Sequence, residues 1–336
     1  MLSRTDSIGD VLLTLPMAGF IKKQYPGCEV EFLGSSYTKE IAETSVHIDS
    51  FHNWSEISAL SKKEQLEYFF NLHADVIVHV FPVREIAQLA RKARIPLRIG
   101  TSGRLYHYHT CNRIVLLSRK RSDLHEAQLN LKLIQSFGIV DTPSLHVIGN
   151  YYGFNKIKAL DRQFKSFITK DRFNLAIHPK TKGSAREWGL HNFSRLLKLL
   201  PRDKFRIFIT GTEEEGKILR PEILNWHPDI IDMTGKFTLG QFIGFLNEID
   251  GLVSASTGPL HIAAALGKYA LGIYPPIKPM HPGRWAPVGL KADYLVMNKK
   301  CSACRRIKSC KCIEEIAPEA VCDKLLAQYK AEHEQQ

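Results

Sequence analysis

The sequence predicts an α/β protein built from two domains of doubly wound parallel sheet. Three observations carry that prediction. Short β-rich runs alternate with helical periodicity along almost the whole chain. The strand candidates are nearly continuous in apolar residues, as strands covered on both faces are, rather than alternating apolar with polar. The chain also has 336 residues, more than one typical core organises.

In the first half, Ser3 and Arg4 mark the end of a strand that is short by several residues, an expectation that leaves room for a native start upstream of Met1. Strand candidates follow at CEVEFLG (Cys28 to Gly34), DVIVHVF (Asp75 to Phe81) and LRIG (Leu97 to Gly100). Helical periodicity covers Val11 to Tyr25, Val83 to Arg94 and Leu124 to Phe137. In the second half the strands are FNLAIHP (Phe173 to Pro179), FRIFITG (Phe205 to Gly211), GLVSA (Gly251 to Ala255) and YALGIYP (Tyr269 to Pro275). Helices are expected at Leu190 to Leu200, Glu214 to Leu224, Leu239 to Asn247, Leu260 to Leu266 and Pro318 to Lys330. The alternation breaks once, between about Ser144 and Arg172. The expected organisation is a first domain at 1–150, a connection at 151–172, a second domain at 173–317 and a closing segment at 318–336. Two such domains would face each other across a cleft at the carboxyl ends of their strands, where open α/β sheets bind ligands.

Lys and Arg number 46 against 34 Asp and Glu, a net charge of +12, which points to an anionic partner. The excess is concentrated: Arg84 to Arg121 holds ten Lys or Arg and one acid, Glu85. Nucleic acid is disfavoured, because no basic motif is interleaved with aromatics and no helix-turn-helix signal is present. A nicotinamide enzyme is disfavoured because no G-x-G-x-x-G follows a strand. No apolar run reaches membrane-spanning length and no signal peptide is evident, so a cytoplasmic protein is expected. Seven cysteines include the run CSACRRIKSCKC with Cys301, Cys304, Cys310 and Cys312. Its spacing differs from the paired knuckles of structural zinc sites, and free thiols are the default reading over metal binding.

Four strand-to-helix turns carry chemistry-bearing residues. In SRTDSIGDVLLTLP, Asp10 follows Gly9 and reads either as a helix N-cap or as a general base facing a ligand. In HPKTKGSAREWGLHNF, small and basic residues mix around Thr181, Lys182 and Arg186, which suits a loop that neutralises phosphate. In ITGTEEEGK, Glu213 is placed to accept from ribose hydroxyls or to favour a helix start. In SASTGPLHIAAALG, Ser256, Thr257 and Gly258 open a helix whose free N–H groups suit a diphosphate, with Pro259 and His261 in its first turn. Taken alone, His261 reads first as a buried, hydrogen-bonded histidine.

Taken together, SIGDVLLTLP, REWGLHNF, MTGKFTL and STGPLHIAAALGK followed by RWAPVG resemble glycosyltransferase family 9, the ADP-heptose:lipopolysaccharide heptosyltransferases and their relatives. The resemblance implies a GT-B fold of two Rossmann-like domains, with the final helix returning toward the first. It implies inverting, metal-independent transfer of a sugar from a nucleotide donor such as ADP-heptose, without a cofactor. The family's catalytic aspartate falls on Asp10 and its basic-loop lysine on Arg186. Its donor-binding positions fall on Glu213, Ser256, Thr257, Gly258 and His261, and Thr181 and Lys182 of the basic loop are expected to bind the donor beside them. Ser256 stands where the heptosyltransferases carry an acid, which leaves a non-heptose donor open. The acceptor, a phosphorylated lipopolysaccharide-core glycolipid, is expected on the first domain near Gly9, Arg104, Arg119 and Arg121, with the basic stretch in peripheral contact with an anionic membrane. A non-catalytic binding protein for nucleotide sugars or anionic lipid is the alternative.

Overall fold

Alternating strands and helices of this composition fold here into two parallel sheets. The structure is a computed structural model that describes residues 1–139, 141–278, 280–298 and 310–333. The chain divides into two compact units, Met1–Lys156 and Ile157–Gln336.

The sheet of the first unit contains β1 (Leu2–Ser3), β2 (Glu31–Gly34), β3 (Ser50–Asn53), β4 (Val76–His79), β5 (Leu97–Thr101) and β6 (Arg113–Val115). All its pairings are parallel, in the order β3-β2-β1-β4-β5-β6. The second unit contains β7 (Phe173–His178), β8 (Phe205–Ile209), β9 (Ile231–Asp232), β10 (Gly251–Ala255), β11 (Tyr269–Tyr274) and β12 (Ala292–Val296). It is also wholly parallel, in the order β9-β8-β7-β10-β11-β12. Counted from its own first strand, each sheet has the doubly wound order 3-2-1-4-5-6. The chain therefore reverses direction across the sheet between β1 and β4, and again between β7 and β10. At such a switch point, loops diverge and leave a crevice at the carboxyl edge.

Each sheet is buried by helices. Leu33, Ile77 and Ile86 close one core in the first unit with Phe69 and Leu89. Phe173, Leu175, Trp188, Phe193 and Phe205 anchor the core of the second, together with Cys310, Cys312, Cys322, Val321 and Leu325. The final helix, Pro318–His333, packs against the helix Leu190–Leu199 of the second unit. Three of the cysteines thus serve as core residues. Cys301 and Cys304 lie outside the described residues, and among the described residues no three His, Cys, Asp or Glu form a metal-holding group. No described helix is long and apolar enough to cross a membrane.

The eight named strand candidates of the sequence are all present, with ends that differ from the expected ones by up to three residues. The four strands absent from the prediction, β3, β6, β9 and β12, are the outer strands of the two sheets. None of their residues is fully buried, so their sequences need no apolar run. The helix expected over Val11 to Tyr25 is two helices, Ile8–Leu12 and Leu15–Gln24. Pro16 supplies no N–H and its ring crowds the carbonyl four residues back, which ends the first helix before it. The helix Lys62–Asn71, polar on average, was not expected. It starts in a capping box in which Ser61 accepts from Glu64 N–H and the Glu64 carboxylate accepts from Ser61 N–H. The expected connection is shared between the units. Tyr151 stacks on Phe20 and Phe154 bridges Ser45, whereas Lys165 pairs with Glu248 at 2.9 Å in the second unit.

Candidate functional site

In the first unit, Asp10 lies just past the carboxyl end of β1. It is the third residue of the short helix Ile8–Leu12, whose N-cap is Ser7. The N-cap reading of Asp10 is therefore displaced by three residues, and its carboxylate makes no cap bond. Instead Arg4 donates to its Oδ1 and Ser7 to its Oδ2. The Thr14 hydroxyl donates to its backbone carbonyl at 2.9 Å. The Asp10 side chain keeps 19% of its surface exposed.

Arg4 is the hub of this edge. It is buried, and its guanidinium also meets Asp6 at 2.8 Å, Glu126 at 3.3 Å and Asn130 at 3.2 Å. Burial works against its charge, but Asp10, Asp6 and Glu126 outweigh it and hold the guanidinium above its ordinary range. Burial pushes the Asp6 carboxyl upward, opposed by Arg4. Arg119 joins from the other side of the switch point. It donates to Glu126 at 2.9 Å, to Asn130 at 3.1 Å and to the carbonyl of Val80, just beyond β4, at 3.1 Å. A single buried arginine paired to one acid would scarcely repay its desolvation. A fork shared among three carboxylates, an amide and a hydroxyl can.

In the second unit the loops after β7 and β10 flank the other switch point. Ser254 donates to the carbonyl of His178 at 2.9 Å and lies 2.8 Å from the Thr257 hydroxyl, tying the two strand ends together. The loop after β7 folds on Thr181, which is buried. Its hydroxyl donates to Ala185 O at 3.1 Å and accepts from Gly183 N at 3.2 Å, while Ser184 donates back to Thr181 O at 2.7 Å. Lys182 and Gly183 both take the left-handed conformation, with φ of 49° and 79°. That arrangement suits glycine but costs a lysine, so Lys182 is held there by the turn. Arg186 follows half-buried, and the loop is anchored by Trp188, whose indole N–H donates to Ile316 O at 2.9 Å. Thr257 is the N-cap of the helix Gly258–Ala265 and makes no side-chain cap bond, so the first N–H groups have no side-chain acceptor there. His261, in its first turn, is buried with Nδ1 unpartnered, and burial lowers its pKa to about 4. Ser256 precedes the N-cap, next to the buried Tyr274 phenol.

Glu213 is the first residue of the helix Glu213–Glu222, past the end of β8. Arg220 holds both of its oxygens, at 2.8 and 3.1 Å, and lowers its pKa. Arg220 also meets Asp232 and Thr234, each at 2.9 Å. Gly235 (φ 71°) passes so close that a Cβ there would strike the Glu213 carboxylate.

The structure therefore gathers the predicted residues into two edges. Gly9, Asp10 and Arg119 lie at the first. Thr181, Lys182, Arg186, Ser256, Thr257, Gly258 and His261 lie at the second, with Glu213 one strand over. Arg104 and Arg121 are exposed and do not enter the Asp10 network. The sequence reading missed Asp6, Glu126 and Asn130, and saw Arg4 only as a strand end. The available signal was an arginine at the end of a central strand, a position that is buried and must find acids.

A model of glycosyltransferase family 9 (heptosyltransferase) matches residues 83–313. A Haemophilus influenzae protein provisionally named a glycosyltransferase is 25% identical over 305 residues, covering 85% of this chain and 84% of its own. The crystal structure of a family 9 glycosyl transferase from Veillonella parvula superimposes with a TM-score of 0.80 at 18% identity, covering 98% of this chain and 96% of its own. The Escherichia coli ADP-heptose lps heptosyltransferase II superimposes with a TM-score of 0.75 at 16% identity, covering 98% of both chains. These structures match the fold, and the GT-B architecture of two parallel-sheet units is shared with them. With the family model spanning well over half of its length, the chain belongs to glycosyltransferase family 9 and is a glycosyltransferase.

Proposed function

We propose that the enzyme transfers a heptose or related sugar, with inversion and without a metal, from an ADP-heptose-like donor to a phosphorylated lipopolysaccharide-core glycolipid. Asp10 acts as the general base. One observation carries this reading: a partly exposed carboxylate at the switch point of the first sheet, fixed on one oxygen by a buried guanidinium. Arg4 orients Oδ1, and Ser7, a rotatable hydroxyl, satisfies Oδ2 until an acceptor hydroxyl takes its place. Oδ2 then accepts the acceptor proton while the acceptor oxygen attacks the anomeric carbon, opposite the departing nucleoside diphosphate. Lys182, Arg186 and the free N–H groups after Thr257 stabilise the charge developing on that diphosphate. Neutral His261 beneath them adds no competing charge, and Glu213 accepts from the ribose hydroxyls of the nucleotide. The basic stretch Arg84 to Arg121 keeps the enzyme at an anionic membrane, at the cytoplasmic face where its lipid acceptor lies. The ADP-heptose and lipopolysaccharide named for the Escherichia coli relative support the substrate class. Ser256, at a position where the heptosyltransferases carry an acid, favours a second reading in which the donor sugar is a hexose or N-acetylated sugar.

The test is transfer by the purified protein from ADP-, GDP- and UDP-sugars to a crude lipopolysaccharide-core acceptor without added metal. Wild type should turn over one donor. Asp10→Asn should lose about 10²- to 10⁴-fold in kcat while still binding that donor. Equal turnover by the variant would remove Asp10 from the mechanism.

A further inference from the structure

The first unit also holds a cavity of about 800 Å³ away from the Asp10 network. It lies between one face of the helix Arg84–Lys92 and the segment Leu105 to Thr110. Arg84, Arg91, Lys92 and Arg94 wall it, with His109, and no acid lines it. The nearest acid in sequence, Glu85, is committed to Lys62. None of the four cations makes an ion pair or a side-chain hydrogen bond among the described residues, although the chain elsewhere pairs its arginines freely. Like charges brought together without neutralisation repel, so such a wall is stable only at a cost that a bound anion would remove. The cations from Arg84 to Lys92 span about 12 Å of helix at 1.5 Å per residue, more than one phosphate can bridge. Leu105, which lines the cavity, is 85% exposed, and Tyr108, three residues on in the same segment, is 55% exposed. The half-buried Tyr106 and buried Thr110 also line it.

We infer that this cavity is a lipid-headgroup site, which takes phosphates of an anionic membrane lipid while Leu105 and Tyr108 enter the interface above them. Concavity and charge select the phosphates. The exposed leucine and tyrosine select a lipid rather than a soluble anion, because a freely dissolved phosphate gives them nothing to bury against. The choice of a lipid source rests on the glycolipid-acceptor reading, and the cavity itself does not. The site shares no lining residue with the Asp10 network or the donor loops, so it governs where the enzyme works and not the bond it makes.

The experiment is sedimentation of the full-length protein with vesicles of phosphatidylglycerol and phosphatidylcholine, and of phosphatidylcholine alone. The triple variant Arg84→Gln, Arg91→Gln, Lys92→Gln is compared with a control that removes the same charge elsewhere, Lys170→Gln, Lys198→Gln, Lys330→Gln. Wild type and control should bind the anionic vesicles alike, and the cavity variant should partition on the order of a hundredfold less. Leu105→Ser should weaken vesicle binding while leaving binding of tripolyphosphate unchanged. Equal losses in the two triple variants would overturn the site in favour of a diffuse basic face. Binding of tripolyphosphate with no binding of vesicles would overturn the lipid. Release of nucleotide from the donor by the cavity variant, measured without vesicles, should match wild type. Failure of wild type to turn over any donor would count against the glycosyl-transfer reading and leave the vesicle result to stand by itself.

Discussion

Arg4 shows how one residue organises an edge. Its fork meets Asp6, Asp10 and Glu126, three acids from two separate segments of the chain, and it has almost no contact with water. Removing it leaves Asp6, Asp10 and Glu126 without the guanidinium that they share. Arg4→Met should therefore cost about 3–5 kcal/mol, the range for breaking a buried ion pair from one side. Urea unfolding followed by fluorescence checks this, and Arg4→Lys should recover only part of the loss because lysine cannot fork. The buried histidines make a second residue-scale prediction. Burial lowers His261 to about 4 and His79 to about 3, from an ordinary 6.5. Both are neutral in the folded state, whereas the unfolded chain binds protons below about pH 6.5. Their contribution is thus complete above pH 6.5 and lost as the pH falls toward 4. For His261 the loss is at most ~3 kcal/mol by pH 4. His261→Gln should flatten the fall in unfolding free energy between pH 6.5 and 4, and an unchanged slope would mean the ring is solvated.

At the scale of elements, function sits in the turns that follow central strands. The loop after β7 is shaped by its own hydroxyls, and the next turn along the sheet depends on a glycine. Gly235 lets the backbone pass beside Glu213, which Arg220 then holds in a two-point grip. Gly235→Ala forces a left-handed alanine and drives a methyl into the carboxylate. We expect about 1 kcal/mol less stability. If Glu213 meets the ribose, ADP should bind roughly tenfold more weakly by calorimetry. The elements themselves were unevenly legible. Central strands read clearly because most of their positions are buried and apolar. The edge strands β3, β6, β9 and β12 did not, because half-exposed strands tolerate Ser, His, Arg and Asp. The split at Pro16 was in principle readable, since a proline inside an apolar period is a break. The turns that bear Asp10, Lys182 and Thr257 were legible as strand-to-helix junctions. That Asp10 is the third residue of its helix, and not its cap, depended on Ile8 and Gly9 being helical already.

At the scale of the whole molecule, two units with separate cores repeat one strand order, and the proposed roles divide between them. A nucleotide that meets only the loops after β7, β8 and β10 stabilises the second unit selectively. At a hundredfold excess over its Kd, ADP contributes about 2.7 kcal/mol to the unit that binds it. Scanning calorimetry should show one transition move upward by roughly 5–10 °C while the other stays in place. Movement of both together would mean the units unfold as one.

The sequence by itself determined the class of fold, the presence of two domains and the order of the chemical turns, because these depend on local periodicity and on which residue types follow each strand. It also placed Asp10, Lys182, Arg186 and the Thr257–Gly258 helix start at strand ends. Only the tertiary structure decided which charges meet. Glu126 reaches Arg4 across 122 residues, and the cysteine-rich tail contributes Cys310 and Cys312 to a core. Among the described residues the four cations between Arg84 and Arg94 stay unpaired, and the neighbouring Glu85 turns to Lys62 instead. Such pairings are set by the register of strands and the angle of helices, which no local window of sequence contains, and they decide what each charged residue does.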